Sequence, residues 1–202
     1  MITTTQLSNV CPTLKGEKLT KITDLLNELT PRYGLSGLPF QMFLANVAQE
    51  SGEFAHKEEN MNYRAERILQ VWPTRFHGLE DARLYEHNPK KLADKVYGGR
   101  MGNILPNDGS QFKGGGFIGL TGRSMYQGYS KFIGKDLTLT SDLIRSNDKY
   151  ALDSALWFFC VLKNLIPVAN KGDFNAVVKG INGGYIGLKT RQEYFDRVKK
   201  YC

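Results

Sequence analysis

The chain has 202 residues, 41% hydrophobic and 23% charged, a composition typical of globular domains and outside the range of disordered or collagen-like chains. Its net charge of +7 invites a polyanionic partner, but it shows no zinc-finger spacing, no RNP-like block and no helix with Lys or Arg regularly on one face, so nucleic acid is a poor fit. Cys11, Cys160 and Cys202 are odd in number and lack CxxC spacing, and His56, His77 and His87 have no metal-ligand spacing, so neither a disulfide framework nor a metal or cofactor is expected.

Met1 to Gln6 lack a basic stretch followed by an apolar core, so no secretory signal is expected. Leu19, Ile22, Leu26 and Leu29 mark a first amphipathic helix, closed by Pro31 and Gly34. A second begins near Pro39, where Phe40, Phe43, Leu44, Val47 and Ala48 recur at the three-and-four spacing of one helix face. Ala65, Ile68, Leu69 and Trp72 give a third, stopped by Pro73. Residues 98–122 are rich in Gly, carry the turn signal Asn107-Asp108-Gly109, and read as cleft-lining loop with short strands. The segment from about Tyr150 to Asn164 is apolar nearly all round and is expected as a helix at the centre of the fold. The longest apolar stretch, Ala155 to Ala169, is broken by Lys163-Asn164 and Pro167 and falls short of the roughly 18 apolar residues of a membrane helix. Thr190 and Glu193 form a capping-box pattern opening a last helix through Tyr194, Phe195 and Val198. No internal repeat or low-complexity tract interrupts the chain.

The chemistry concentrates after the second helix. Glu50 lies seven residues beyond Phe43 and three beyond Val47, which places a carboxyl on the apolar face near a helix C-terminus. Apolar surroundings and the negative end of the helix dipole both favour its protonated form, as a general acid requires. On one straight helix Glu59 would stand on the opposite face, nine steps of about 100° and roughly 13 Å away. Gly52 breaks the helix, so the chain can fold back and aim both carboxylates into one cleft. Two carboxyls across a cleft suit hydrolysis of a glycosidic bond, one protonating the leaving oxygen and the other activating water or attacking the sugar. Glu53 and Glu58 compete for these roles, Glu58 the more seriously, and a solvated acidic surface is the bland alternative.

Gly114, Gly116 and Gly119 satisfy G-x-G-x-x-G, yet polar Asp108 to Gln111 stands where a dinucleotide site needs a buried strand. The glycines read better as close-approach or positive-φ positions. Among the aromatics, Trp72 and Phe76 read as core, while Tyr97 and Tyr126 are candidate substrate-contacting residues.

The run from Phe43 to Phe76 includes Ala48-Gln49-Glu50-Ser51-Gly52, Glu59-Asn60-Met61-Asn62-Tyr63 and Val71-Trp72-Pro73-Thr74-Arg75-Phe76. It resembles the catalytic core of family 19 glycoside hydrolases, and more closely the single-domain phage endolysins and prophage enzymes of that family. Arg100-Met101-Gly102-Asn103, Gly114 to Arg123 and Ile181-Asn182-Gly183-Gly184 follow in the same order, so the likeness spans about residues 40–195.

The resemblance implies a mainly α, lysozyme-like, two-lobed fold with a cleft and a Gly-rich loop region. It implies one catalytic domain over 1–202, with a larger helical lobe, a smaller lobe at roughly 60–110 and no separate wall-binding domain. It implies an inverting hydrolase of β-1,4-linked amino sugars, with Glu50 as general acid and Glu59 as general base, their carboxyls about 6.5 to 9.5 Å apart. Thr121 matches the hydroxyl that holds the attacking water, and Asn182 the substrate-binding Asn. Arg191, before Gln192-Glu193-Tyr194-Phe195, matches a charged residue behind the acid. The expected partners are peptidoglycan glycan strands, or chitin, on an anionic envelope surface, with no membrane insertion and a monomeric state. An enzyme of this kind accumulates in the host cytoplasm and reaches the wall through a holin-type pore.

Three positions depart from the family's pattern: Gln49 stands for its His, Gly115 for its Arg and Gly119 for its Gln. The side chains lost at Gly115 and Gly119 leave a non-catalytic saccharide-binding relative as an alternative, without removing the acid, the base or the hydroxyl.

Overall fold

The computed structural model describes residues 1–202 as two units. One is formed by Met1–Lys57, Gly116–Ile118 and Ile144–Cys202, the other by Glu58–Gly115 and Gly119–Leu143. Both are helical, and the only β pairing is a pair of isolated bridges, Glu58 to Gly115 and Gly115 to Leu120, in the second unit.

The first unit opens with α1 (Thr4–Val10), α2 (Gly16–Leu29) and α3 (Gly37–Glu50). α1 was not foreseen from the sequence, because only Leu7 and Val10 are buried and they mark no periodic face. A real capping box starts it: Thr3 Oγ1 accepts from Gln6 N at 3.1 Å and the Gln6 side chain accepts from Thr3 N at 2.9 Å. α2 runs into a 3-10 turn, Thr30–Tyr33, that Pro31 opens and Gly34 closes with φ 61°, as the sequence predicts. α3 is enclosed on all sides, since Met42, Phe43, Leu44, Ala45, Asn46, Val47 and Ala48 are all fully buried.

The second unit carries α4 (Ala65–Val71), α5 (Leu79–Arg83), α6 (Pro89–Tyr97), α7 (Asp108–Gln111) and α8 (Arg123–Ile133). Its core gathers Met61, Ala65, Ile68, Phe76, Leu92 and Val96, with Tyr63, Trp72 and Tyr97 packed on the rim. α7 lies against α6 at Gly109, where a Cβ would come within 2.5 Å of the Ala93 carbonyl oxygen. The segment before the glycines is therefore a short helix and not a strand, which removes the dinucleotide-binding reading of G-x-G-x-x-G.

α9 (Asp142–Ser146) spans the boundary between the units, and α10 (Asp148–Trp157), α11 (Ile166–Asn170), α12 (Phe174–Asn182) and α13 (Leu188–Tyr201) complete the first. The single helix expected from Tyr150 to Asn164 is instead α10 followed by a wider π turn, Phe158–Leu162. Ala151, Leu152, Ala155, Leu156 and Phe159 are fully buried there. α13 packs along α3. It begins at Leu188 after Gly187, whose φ is 71°, and no side chain caps it. Thr190 thus lies inside the helix, and the expected capping box with Glu193 is absent. No helix is long and apolar enough to cross a membrane.

Candidate active site

In the first unit, Glu50 is the last residue of α3. The apolar surroundings expected for it are not there, because α3 is wrapped by protein only up to Ala48 and its end emerges. The Glu50 side chain is 26% exposed, and its Oε1 accepts from Arg191 Nη2 of α13, a side chain only 2% exposed. Arg191 Nη1 donates to Asn46 Oδ1 at 2.9 Å, and Arg191 Nε to the Ile186 carbonyl at 3.4 Å. The guanidinium is thereby fixed on three sides and holds one nitrogen against a single carboxylate oxygen, a three-way grip that a lysine could not make.

The turn after Glu50 has its own logic. Glu53 N donates to the Ala48 carbonyl at 2.7 Å and Gly52 N to the Gln49 carbonyl at 3.4 Å, the paired bonds of a Schellman end with Gly52 in the left-handed position. The left-handed course continues through Glu53 (φ 59°) and Phe54 (φ 65°), which costs about 1–2 kcal/mol for each non-glycine residue. Phe54 is fully buried, edge-on to Phe117 at 5.1 Å between centroids.

Asn182 ends α12, is exposed, and donates from Nδ2 to the Ile186 carbonyl at 3.0 Å. The same carbonyl serves Arg191, so one oxygen ties the Asn182 loop to the cation that holds Glu50. Gln49 lies beside them: its Nε2 is 3.3 Å from where a Cβ on Gly187 would be.

In the second unit, Glu59 is held on both oxygens. Oε1 accepts from the Tyr97 phenol at 2.6 Å and Oε2 from Gly114 N at 3.2 Å, while Glu59 N donates back to the Gly114 carbonyl at 2.9 Å. Burial first, and then the neighbouring Glu59 charge, push the Tyr97 hydroxyl far above the ordinary phenol range, so it remains a donor. A Cβ on Gly114 would lie 3.1 Å from Glu59 Oε2 and 3.5 Å from Thr121 Oγ1. A side chain here would therefore crowd the carboxylate and the hydroxyl together, which places both oxygens beside one bare stretch of backbone. Thr121 Oγ1 is oriented by donation to the Gly119 carbonyl at 2.9 Å. Gly119 has φ 71°, and nothing lies within 4 Å of where its Cβ would be.

The competing carboxylates are occupied otherwise. Glu58 is half exposed and pairs with Lys113 Nζ at 2.7 Å. Glu53 is 6% exposed and accepts from Thr13 and Tyr194. Tyr126 corrects an expectation: it is fully buried, edge-on to Phe112 at 5.2 Å, with its hydroxyl donating to the Lys113 carbonyl. Its ring belongs to the core of the second unit and presents no face to a sugar. Sequence reasoning missed Asn46 and Gly114. A lone Asn inside the apolar run of α3 was the available signal for the first, since a fully buried amide demands partners.

No family model matches the chain. It is 30% identical over 152 residues to a glycosyl hydrolase family 19 domain-containing protein of Haemophilus influenzae, covering 74% of this chain and 73% of that protein. Among solved structures it is similar to chitinase C from Streptomyces griseus, with a TM-score of 0.65 at 17% identity, covering 99% of this chain and 91% of that one. A bacterial family 19 chitinase gives the same TM-score at 18% identity, covering 99% and 94%. The structural likeness shows the shared fold, and the 30% identity across about three quarters of both chains shows that this chain belongs to glycosyl hydrolase family 19.

Proposed function

We propose that this glycoside hydrolase is a lysis enzyme of endolysin type. Its target is the β-1,4 bond between N-acetylmuramic acid and N-acetylglucosamine in peptidoglycan, cleaved with inversion by two glutamates. Glu50 donates a proton to the glycosidic oxygen, the C1–O bond breaks, and Glu59 removes a proton from the water that attacks C1 on the opposite face. The single observation carrying this reading is the Glu59, Tyr97, Gly114 and Thr121 arrangement, which fits a base and a hydroxyl sharing one water. Arg191 engages only Oε1 of Glu50, which suits Oε2 for proton delivery and supplies a cation for the charge left behind. Asn182 holds the sugar on the same side.

The preference for peptidoglycan rests on the net charge of +7, which draws the chain to an anionic wall, and on the likeness of its sequence blocks to phage enzymes. Release through a holin-type pore belongs to the same reading. Chitin is the second reading, because the solved structures of similar fold are chitinases.

Purified sacculi digested with the protein and analysed by mass spectrometry test the proposal. Reducing-end muramic acid is the expected product; reducing-end glucosamine or peptide fragments would reject muramidase action, and cleavage confined to chito-oligosaccharides would favour chitin. Glu50→Gln and Glu59→Gln should each abolish the clearing zone in a zymogram while keeping the fold. Wild-type protein that sediments with sacculi yet cleaves neither polymer would reveal a saccharide-binding relative instead.

A further inference from the structure

Glu53 is the one carboxylate of the acid-bearing turn that the proposed chemistry does not use, and it is the most heavily bonded. It accepts from Thr13 N at 2.7 Å, from the Thr13 hydroxyl and from the Tyr194 phenol at 2.9 Å, with Arg197 Nη1 at 3.8 Å. Burial, and then the bond to Glu53, push the Tyr194 phenol up to about 12, so it stays a donor. The backbone that carries Glu53 is the left-handed run Gly52, Glu53, Phe54, a course that ordinary side chains adopt only when their surroundings over-determine it.

α13 grips this turn twice. Arg191 takes Glu50 and Tyr194 takes Glu53. The two α13 residues are three apart and share a helix face, and so the two carboxylates, also three apart, are clamped by a matched pair. Thr13, from the α1–α2 connection, closes the third side. With Glu53 released, the left-handed run keeps its backbone bonds and the buried Phe54 but loses its ties to Thr13 and to Tyr194 of α13, which frees the end of α3 to carry the Glu50 carboxyl away from Arg191.

We propose that Glu53 is a positioning residue for proton delivery: it locks the turn that aims the Glu50 carboxyl. The inference rests on Glu50 being the general acid. A purely structural Glu53 would lower stability and impair every substrate alike. A positioning Glu53 should matter only where the leaving group needs a proton.

The test compares two substrates of the same oligosaccharide, one with a sugar leaving group and one with 2,4-dinitrophenolate, which departs without protonation. Glu53→Gln should cut kcat on the first by about 100-fold with little change in KM, and leave the second within about twofold. Tyr194→Phe, which removes one bond and no charge, should show the same split at about tenfold, and serves if Glu53→Gln does not fold by circular dichroism. Equal losses on both substrates, or no loss on either, would overturn the inference. Glu50→Gln is the control: if it shows the split and the Glu53 and Tyr194 variants do not, Glu53 is merely structural while the acid stands. If Glu50→Gln lacks the split, the acid assignment itself fails and the inference falls with it.

Discussion

Gly114 has no side chain because of what stands on either side of it. An added methyl would sit 3.0 Å from Glu59 Cβ and between the Glu59 and Thr121 oxygens, while its backbone needs no positive φ. Gly114→Ala should therefore fold and melt within a few degrees of wild type. On the proposed mechanism its kcat should fall by about 100-fold, because the methyl presses on the Glu59 carboxylate and the Thr121 hydroxyl and shifts both from their present geometry. At the other glutamate, Arg191→Lys keeps the charge but loses the fork that reaches Glu50, Asn46 and the Ile186 carbonyl at once. A drop in kcat of about tenfold or more, measured on solubilised glycan, is expected. Glu50 drew notice in the sequence as a carboxylate closing an apolar helix, although the structure leaves it 26% exposed, and Glu59 was singled out from its rival Glu58 by the family likeness. Arg191 was named only through the family likeness, because it stands 141 residues from Glu50 and no local spacing encodes such a meeting; Asn46 and Gly114, which help hold the two glutamates, were not named at all. Tyr97 and Tyr126 read alike as aromatics near matched blocks, yet one binds a carboxylate and the other fills a core, a difference only burial reveals.

Helix ends are where the sequence spoke most clearly. Gly52 stops α3, and Pro31 with Gly34 stops the α2 extension, since each supplies backbone geometry that other residues resist. The Thr190 and Glu193 pattern misled because Gly187 starts α13 earlier and turns the apparent cap into helix interior. Between α7 and α8 the decisive element is an ion pair. Asp108, 1% exposed, binds Arg123 in a two-pronged contact and accepts from Ile104 N and Leu105 N at 3.0 Å each. Arg123 first, and then these backbone donors, overcome burial and hold the Asp108 carboxyl below its ordinary value. Because the folded value is depressed, the stabilisation is complete above about pH 4 and is lost as pH falls through the folded value. Asp108→Asn should cost about 3 kcal/mol near neutrality, read as a fall in Tm of roughly 10 °C. The gap between variant and wild type should close in melts below about pH 4.

The two units each place one glutamate where the chain enters or leaves them, Glu50 seven residues before the first crossing and Glu59 just after it. Helical class was readable along the chain and the family likeness over about residues 40–195, because ordered blocks accumulate specificity that no single motif has. The division of the chain at Lys57 and Glu58 was less so, since no composition shift marks it. Two measurements belong at this scale. Proton NMR of the first turnovers should show the α-anomer, the signature of inversion, and a β-anomer would reject the water-first mechanism. Sedimentation with sacculi should fall severalfold between about 50 and 300 mM salt, as a net charge of +7 loses its long-range attraction.

The double grip of α13 also has a timing. Arg191 and Tyr194 each follow the glutamate they hold by 141 residues. A ribosome therefore makes both carboxylates well before it delivers their holders on α13. Until that helix emerges and docks, neither carboxylate of the turn has its side-chain partner on α13, and both are gripped together once it does.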